Sequence, residues 1–310
     1  MQKHITLYLN HLKTRGCSHH TRRNYECSLR RFCAFLAGEG IDTPRDVTAD
    51  HLAAYQDHLF HNEKTRRGNR SLSLEYQSHL LQAVRVFFRF LRKHDIVLHD
   101  PARNLKSPKL PRRLPRDVMT RREIKKILSL PDTRLPLGLR DRLILELLYA
   151  TGLRNSELCN LKLQDVNTAA RELIIRNGKG AKDRIVPVVK KTATLIDRWI
   201  TEARPVLLGE RQSEWLFIGP ASPYPYLKTG RIAVIVRSYR ERARLKKKVT
   251  PHSFRHTCAT HLLQGRASIR TIQELLGHKS LSTTQQYTRV DVTDLRRAVD
   301  RHHPRESMDL

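Results

Sequence analysis

Residues 107–117 read "SPKLPRRLPRD", three prolines and four basic residues in eleven positions. A proline ring locks φ and removes the N–H, so such a run resists helix and sheet alike and favours an extended strap. The strap reads as a linker. It parts the 310-residue chain into two stretches, each long enough to enclose a core. Residues 1–117 hold 22 Lys and Arg against 11 Asp and Glu, and residues 118–310 hold 37 against 19. An excess of one sign on both sides of a strap predicts two bodies that touch the same polyanion.

Upstream of the strap the pattern is helical throughout. In "HTRRNYECSLRRFCAFLAGEG" (20–40), Tyr25, Leu29, Phe32 and Leu36 recur at helical spacing as one apolar stripe, and Gly38 or Gly40 ends the helix. In "LEYQSHLLQAVRVFFRFLRK" (74–93), Tyr76, Leu80, Ala83, Val84, Phe87 and Leu91 share a face. Arg85, Arg89 and Arg92 fall nearly opposite, within about a 60° sector at helical period. This arginine face is expected to go unbalanced by acids one turn away, and so to contact phosphates rather than merely water.

Downstream the pattern is mixed. "REIKKILSL" (122–130) and "LRDRLILELLYA" (139–150) read as helices, the second apolar enough to be a buried strut that Gly152 terminates. "RELIIRNGKGAKDRIVPVV" (171–189) is two β-rich runs joined by a Gly-Lys turn, a hairpin signal. Helical patterns follow near 190–206, 229–244, 252–264 and 268–276. The predicted fold is mainly α with a small antiparallel β-sheet.

Charge narrows the function class. A formal net of +29 repels itself in a compact chain, and the usual remedy is a polyanion, most often nucleic acid. The basic residues are spread rather than gathered in one juxtamembrane cluster, and no 18-residue apolar run spans a bilayer, so no membrane partner is expected. "MQKHITLYLN" lacks the apolar core of a secretion signal, and the five cysteines (17, 27, 33, 159 and 258) show no C-x-x-C spacing. Both point to reduced thiols and a cytoplasmic location.

Four local motifs carry chemistry. "TPHSFRHTCATHLLQG" (250–265) reads as a helix with His252 and Arg255 on one side and Phe254, Cys258 and Leu262 buried. His261 lies opposite His252 and reads as a core histidine. His252 and His256 are spaced like a zincin pair, but Ser253 stands where such a site needs its glutamate, so no metal is expected. Lys179 sits in a Gly-Lys-Gly hairpin tip that lacks the spacing of a nucleotide-phosphate loop, and an ammonium there suits groove probing and proton donation. Arg154, in "ATGLRNSELCNL" (150–161), follows an apolar helix and a glycine turn, a place from which side chains are expected to point outward. "GHKSLSTTQQYTRV" (277–290) adds His278 and, nine residues on, Tyr287. Two guanidinium groups, an ammonium, two imidazoles and a phenol make up what phosphoryl transfer without a metal requires: cations for the equatorial oxygens, an acid for the leaving oxygen, and a nucleophile.

These segments resemble the tyrosine recombinase (phage integrase) family, with a pattern most similar to the Xer recombinases. "LLYATGLRNSEL", "GKGAKDRIVPV", "TPHSFRHTCATHLLQG" and "LLGHKSLSTTQQYTRV" stand in the family's order and spacing over most of residues 147–290. The stretch from "YLNHLKTRG" to the strap is similar to the family's helical core-binding domain. The resemblance implies Tyr287 as nucleophile, giving a 3′-phosphotyrosyl link and a Holliday junction without metal, cofactor or ATP. It implies Arg154 and Arg255 on the non-bridging oxygens, Lys179 as acid for the 5′-oxygen, and His252 as the tyrosine's acid–base partner. His278 then bonds the scissile phosphate, and Glu157 orients a basic neighbour.

The expected organisation is a two-domain clamp. It comprises a SAM-like helical domain (1–106), the strap (107–117), a catalytic domain (118–290) and a tail (291–310) with an inter-protomer helix in such enzymes. The partners implied are double-stranded DNA and a homotetramer on two DNA sites, with a second recombinase admissible, and nucleoid association when bound. Two rivals share much of this pattern. A type IB topoisomerase would relax supercoils, and a non-cleaving DNA-binding regulator would keep the fold alone.

Overall fold

The computed structural model of the chain describes residues 1–62, 64, 71–109, 118–176, 183–219, 226–277, 292–305 and 308. The chain divides into two compact units, Met1–Arg113 and Leu114–Leu310, and the division falls within the proline strap.

Among the described residues the first unit has four helices: α1 (Gln2–Thr14), α2 (His19–Gly38), α3 (Ala49–His61) and α4 (Leu74–Lys93). Ser18, Thr48 and Ser73 cap the starts of α2, α3 and α4 by accepting from backbone N–H groups that the helix leaves without partners. On α2, Leu29, Phe32 and Leu36 are buried as read, and the helix ends at Gly38. On α4 the stripe is wider than its period suggests. Leu80, Ala83, Val84, Phe87 and Leu91 are buried, and so are Leu81, Phe88 and Phe90, because α1, α2 and α3 all pack against this one helix. Tyr76, expected within the stripe, is 43% exposed, since it lies in the first turn at the edge of that packing. Aromatic edges fill the centre, with Tyr8 against Phe87 at 5.7 Å and Phe32 against Tyr55 at 4.9 Å between ring centroids.

The second unit begins with α5 (Arg121–Ser129), α6 (Pro136–Ala150) and the short α7 (Asn155–Cys159). From Leu143 to Ala150 every residue of α6 is buried, so the expected strut is the axis of this core. Gly152 follows with φ +60°, a conformation that favours glycine, and a Cβ there would stand 2.5 Å from the end of the Leu276 side chain and force it to shift. A three-stranded antiparallel sheet comes next: β1 (Val166–Asn167), β2 (Glu172–Ile175) and β3 (Arg184–Pro187) in that order, with Ile175 opposite Arg184. The predicted hairpin is therefore β2–β3.

Further helices close the core: α8 (Lys190–Arg198), which continues through a π-helical turn into α9 (Arg204–Leu208), then α10 (Thr229–Arg242), α11 (Pro251–Gln264) and α12 (Ile269–Leu276). The tail forms α13 (Val292–His302), which packs on β3 and α12 of its own chain. Arg171 holds Asp300 through two bonds of 3.1 and 3.0 Å, and Arg296 pairs with Glu172. Beyond α13, His303 is buried beside the Tyr149 carbonyl at 3.2 Å, and Arg305 pairs with the buried Glu146. No helix among the described residues is long and apolar enough to cross a membrane.

Candidate active site

The site grows from one helix end. α12 terminates at Leu276, and Gly277 turns out of it in the left-handed conformation. The last carbonyls of a helix lack intrahelical partners and carry the negative end of its dipole. Three arginines from three other elements take them. Arg184 Nε donates to the Leu275 carbonyl at 3.3 Å, Arg255 Nη2 to Leu276 at 2.6 Å, and Arg154 Nη2 to Gly277 at 2.9 Å. Residues 123 apart in sequence are thereby drawn together.

Arg154 is the N-cap residue of α7, and its backbone N–H donates to Glu157 Oε2 at 2.9 Å as in a capping box. Its guanidinium turns back to the same carboxylate, Nη1 to Oε1 at 2.6 Å. It does not point outward as a residue after a glycine turn was expected to, because the α12 end and Glu157 both offer acceptors beneath it. Arg255 lies on α11 and is only 4% exposed. It parts from His252, with which it was expected to share a side and which is exposed, because the ends of α12 and α6 offer its guanidinium buried carbonyls. Its Nη1 donates to the Gly152 carbonyl at 2.7 Å. Burial, and then the neighbouring Arg154, pull the Arg255 guanidinium down to about 10, so it still carries its charge at neutral pH.

Glu157 is the anionic centre. Burial alone would raise its carboxyl, but hydrogen bonds from Arg184 and from the Arg154 backbone and side chain outweigh that and hold it at about 2. Arg184 is the larger contributor. It forks onto both oxygens, Nη1 to Oε1 at 3.0 Å and Nη2 to Oε2 at 2.8 Å. Sequence reasoning missed Arg184. The signal was available, since Arg184 shares its side of β3 with the fully buried Val186, and an arginine in phase with a core residue requires a carboxylate.

His252 is exposed on the first turn of α11, and its Nε2 lies 2.9 Å from Nε2 of His256. One of the two rings must donate and the other accept. His261 is buried, with Nδ1 at 3.0 Å from the Tyr149 hydroxyl, as a satisfied core histidine should be. Lys179, His278 and Tyr287 lie outside the described residues. In sequence, Lys179 falls between β2 and β3, and His278 follows Gly277, whose carbonyl Arg154 holds.

The arginine face of α4 departs from its premise. Asp95 stands three residues after Arg92 and pairs with it at 3.0 Å, so that end of the stripe is balanced. Arg85 is turned to the chain that follows α4, donating to the Leu105 carbonyl at 3.3 Å and to the Ser107 hydroxyl at 2.7 Å. Arg89 is exposed and has no partner among the described residues.

Known proteins bear on this geometry. Residues 117–294 match the model of the phage integrase family, and residues 5–95 match that family's N-terminal SAM-like domain. The chain is 39% identical over 309 residues to tyrosine recombinase XerC 2 of Ralstonia nicotianae, covering 98% of this chain and 86% of that one. It is 41% identical over 299 residues to tyrosine recombinase XerA of Thermococcus kodakarensis, covering 96% and 94%. Its fold is similar to that of the XerH site-specific recombinase in a pre-cleavage complex with its difH substrate, at a TM-score of 0.65 and 24% identity over 92% of this chain and 81% of that one. With a family model spanning more than half of its length and relatives aligned nearly end to end, the chain belongs to the phage integrase family of tyrosine recombinases.

Proposed function

We propose that the protein is a site-specific recombinase that cuts and rejoins duplex DNA through a 3′-phosphotyrosyl intermediate and a Holliday junction. The observation that carries this reading is the pairing of Arg154 with Arg255 on one helix end. Among the described residues, each side chain commits two hydrogen bonds to protein acceptors, through Nη1 and Nη2, from a fork of five N–H donors. The donors that have no acceptor among the described residues suit the non-bridging oxygens of a phosphodiester, where negative charge builds in the transition state.

The chemistry balances without metal or ATP. The Tyr287 oxygen attacks phosphorus, forming a P–O(Tyr) bond as the bond to the 5′-oxygen breaks. The phenol's proton passes to His252, and Lys179 protonates the departing 5′-oxygen. A phenol near pKa 10 is a weak nucleophile at neutral pH, so the neighbouring cations are needed to favour its anionic form. His278 bonds the scissile phosphate, and Glu157 keeps Arg154 aimed. One phosphodiester is exchanged for one phosphotyrosyl ester, and attack by a 5′-hydroxyl of the second duplex restores a phosphodiester.

Exchange between two duplexes opens four strands and needs four nucleophiles, which fits a homotetramer on two sites or an assembly shared with a second recombinase. The helical unit and the catalytic unit both contact the double-stranded DNA, with the strap between them. A cytoplasmic, nucleoid-associated location follows from that partner.

The test uses a duplex carrying a site selected from random sequence with the purified protein, nicked beside the crossover to trap the adduct. A covalent protein–DNA band on a denaturing gel is expected from the native chain, unchanged by EDTA and absent from Tyr287→Phe. A band that survives the phenylalanine change would reassign the nucleophile, and relaxation of any supercoiled plasmid without a site would favour the topoisomerase reading.

A further inference from the structure

We propose that Arg184 is a positioning residue for strand cleavage, acting through Glu157 to set the guanidinium of Arg154 and through the Leu275 carbonyl to brace the helix end on which the arginines meet. The inference rests on the recombinase reading and adds to it a residue outside its catalytic set.

The geometry is specific to a guanidinium. A carboxylate held by one partner can swing about its Cγ–Cδ bond. A forked pair of bonds fixes the plane of the carboxylate, and the 3.0 and 2.8 Å contacts from Arg184 do this for Glu157. Arg154 Nη1 bonds the same Oε1 at 2.6 Å, so the carboxylate plane dictates where the Arg154 fork lies. The third Arg184 donor, Nε, takes the Leu275 carbonyl at 3.3 Å, and a Cβ at Gly277 would stand 3.2 Å from the Arg184 guanidinium. One side chain thereby touches the capping carboxylate of α7 and the end of α12 from the first residue of β3, the strand that follows Lys179 in sequence. A lysine there keeps the charge but has no fork and cannot fix a plane. The side chain is 14% exposed, and among the described residues its Nε, Nη1 and Nη2 each donate to a protein acceptor. Its influence on the phosphate therefore passes through its neighbours.

The experiment measures single-turnover cleavage of the nicked substrate at saturating DNA, with duplex affinity and melting temperature followed in parallel. Native protein and Tyr287→Phe run alongside. Absence of adduct from the native protein would overturn the recombinase reading itself, whereas an adduct that Tyr287→Phe abolishes keeps that reading and leaves Arg184 to be judged alone. Arg184→Lys is expected to cleave about 10- to 100-fold more slowly, the scale of a misplacement near 1 Å, with affinity within about threefold. Because both residues act on one guanidinium, Arg184→Lys combined with Glu157→Gln is expected to be no slower than the worse single variant, within about threefold. Cleavage by Arg184→Lys within about threefold of native, or single losses that multiply in the double variant, would overturn the proposal. Loss of folding in both Arg184→Lys and Arg184→Gln would also overturn it, by assigning the residue to stability alone.

Discussion

Glu146 and Glu157 stand eleven residues apart, and each holds two arginines, yet they serve opposite ends. Glu146 is fully buried in the middle of α6. It accepts from Arg142 at 3.3 and 3.4 Å, from the Thr192 hydroxyl at 3.1 Å and from Arg305 of the tail. Those arginines direct further donors to the carbonyls of Leu128 and Met308, at 2.8 and 2.9 Å. Glu157 is nearly as enclosed, but the side chain of its partner Arg154 is 26% exposed, against 10% for Arg142 and 6% for Arg305. A carboxylate that seals its arginines ties the fold together. One that orients an arginine and leaves part of its side chain exposed is suited to receive an anion, as the proposed function requires.

The strongest way to break the comparison is Glu146→Ala. It leaves two buried guanidinium groups without their anion, and removing one member of such a group typically costs about 3–5 kcal/mol. Urea unfolding should register that loss, and a midpoint close to native would mean the sealed cluster contributes little. Arg255→Ala probes the open cluster. Cleavage should fall by about 10²–10³, the usual cost of one oxyanion donor, while duplex binding largely survives. Turnover within a few-fold of native would remove Arg255 from its role.

Acidification should separate the two clusters. Burial, opposed by the hydrogen bond to the Tyr149 carbonyl, holds His303 down to about 4. A base whose folded value is depressed contributes stability above its ordinary value near 6.5, and loses it as pH falls toward 4, because the unfolded chain takes the proton first. Glu157, held at about 2, contributes stability above the ordinary carboxylate value near 4.5 and loses it only as pH falls from there toward 2. The tail should therefore become protease-sensitive between pH 6.5 and 4, before the arginine cluster weakens. His303→Ala should remove the first dependence and Glu157→Gln the second, both read from urea midpoints against pH. A single coincident transition in the native chain would show that the clusters are not independent.

What was legible follows the reach of each signal. The stripe on α2, the strut α6 and the antiparallel pairing of β2 with β3 are local patterns, and each lies where its residues placed it. Arg154 and Arg255 were legible as candidates because each sits in a motif with its own signature. The links between motifs were not. Arg305 reaches Glu146 across 159 residues and Arg184 reaches Glu157 across 27, and no periodicity records such pairings. Phe88 and Phe90 are buried off the main stripe of α4 for a related reason: three helices cover it, and a single-helix pattern anticipates one partner face. Asp95 was overlooked because it lies just past the last turn of α4, outside the helical window but within reach of Arg92.

The same distinction between committed and open arginines makes a smaller prediction for the helical unit. Arg85 is turned onto the Leu105 carbonyl and the Ser107 hydroxyl, Arg92 onto Asp95, and Arg89 has no described partner. If open donors are what phosphates find, the three residues of the stripe are not equivalent. Each phosphate contact on a duplex contributes about 0.9 to the slope of log affinity against log salt, so Arg89→Ala should flatten that slope by about this amount. Between 50 and 200 mM salt that corresponds to roughly a three- to fourfold difference in affinity. Arg92→Ala should flatten it less, because the arginine already balances a carboxylate, and Arg85→Ala should chiefly loosen residues 105–107, read as faster proteolysis there. Equal slope changes at all three positions would mean that duplex binding pulls Arg85 and Arg92 off their partners, and that counting committed donors in the unbound protein misjudges which arginines a phosphate can recruit.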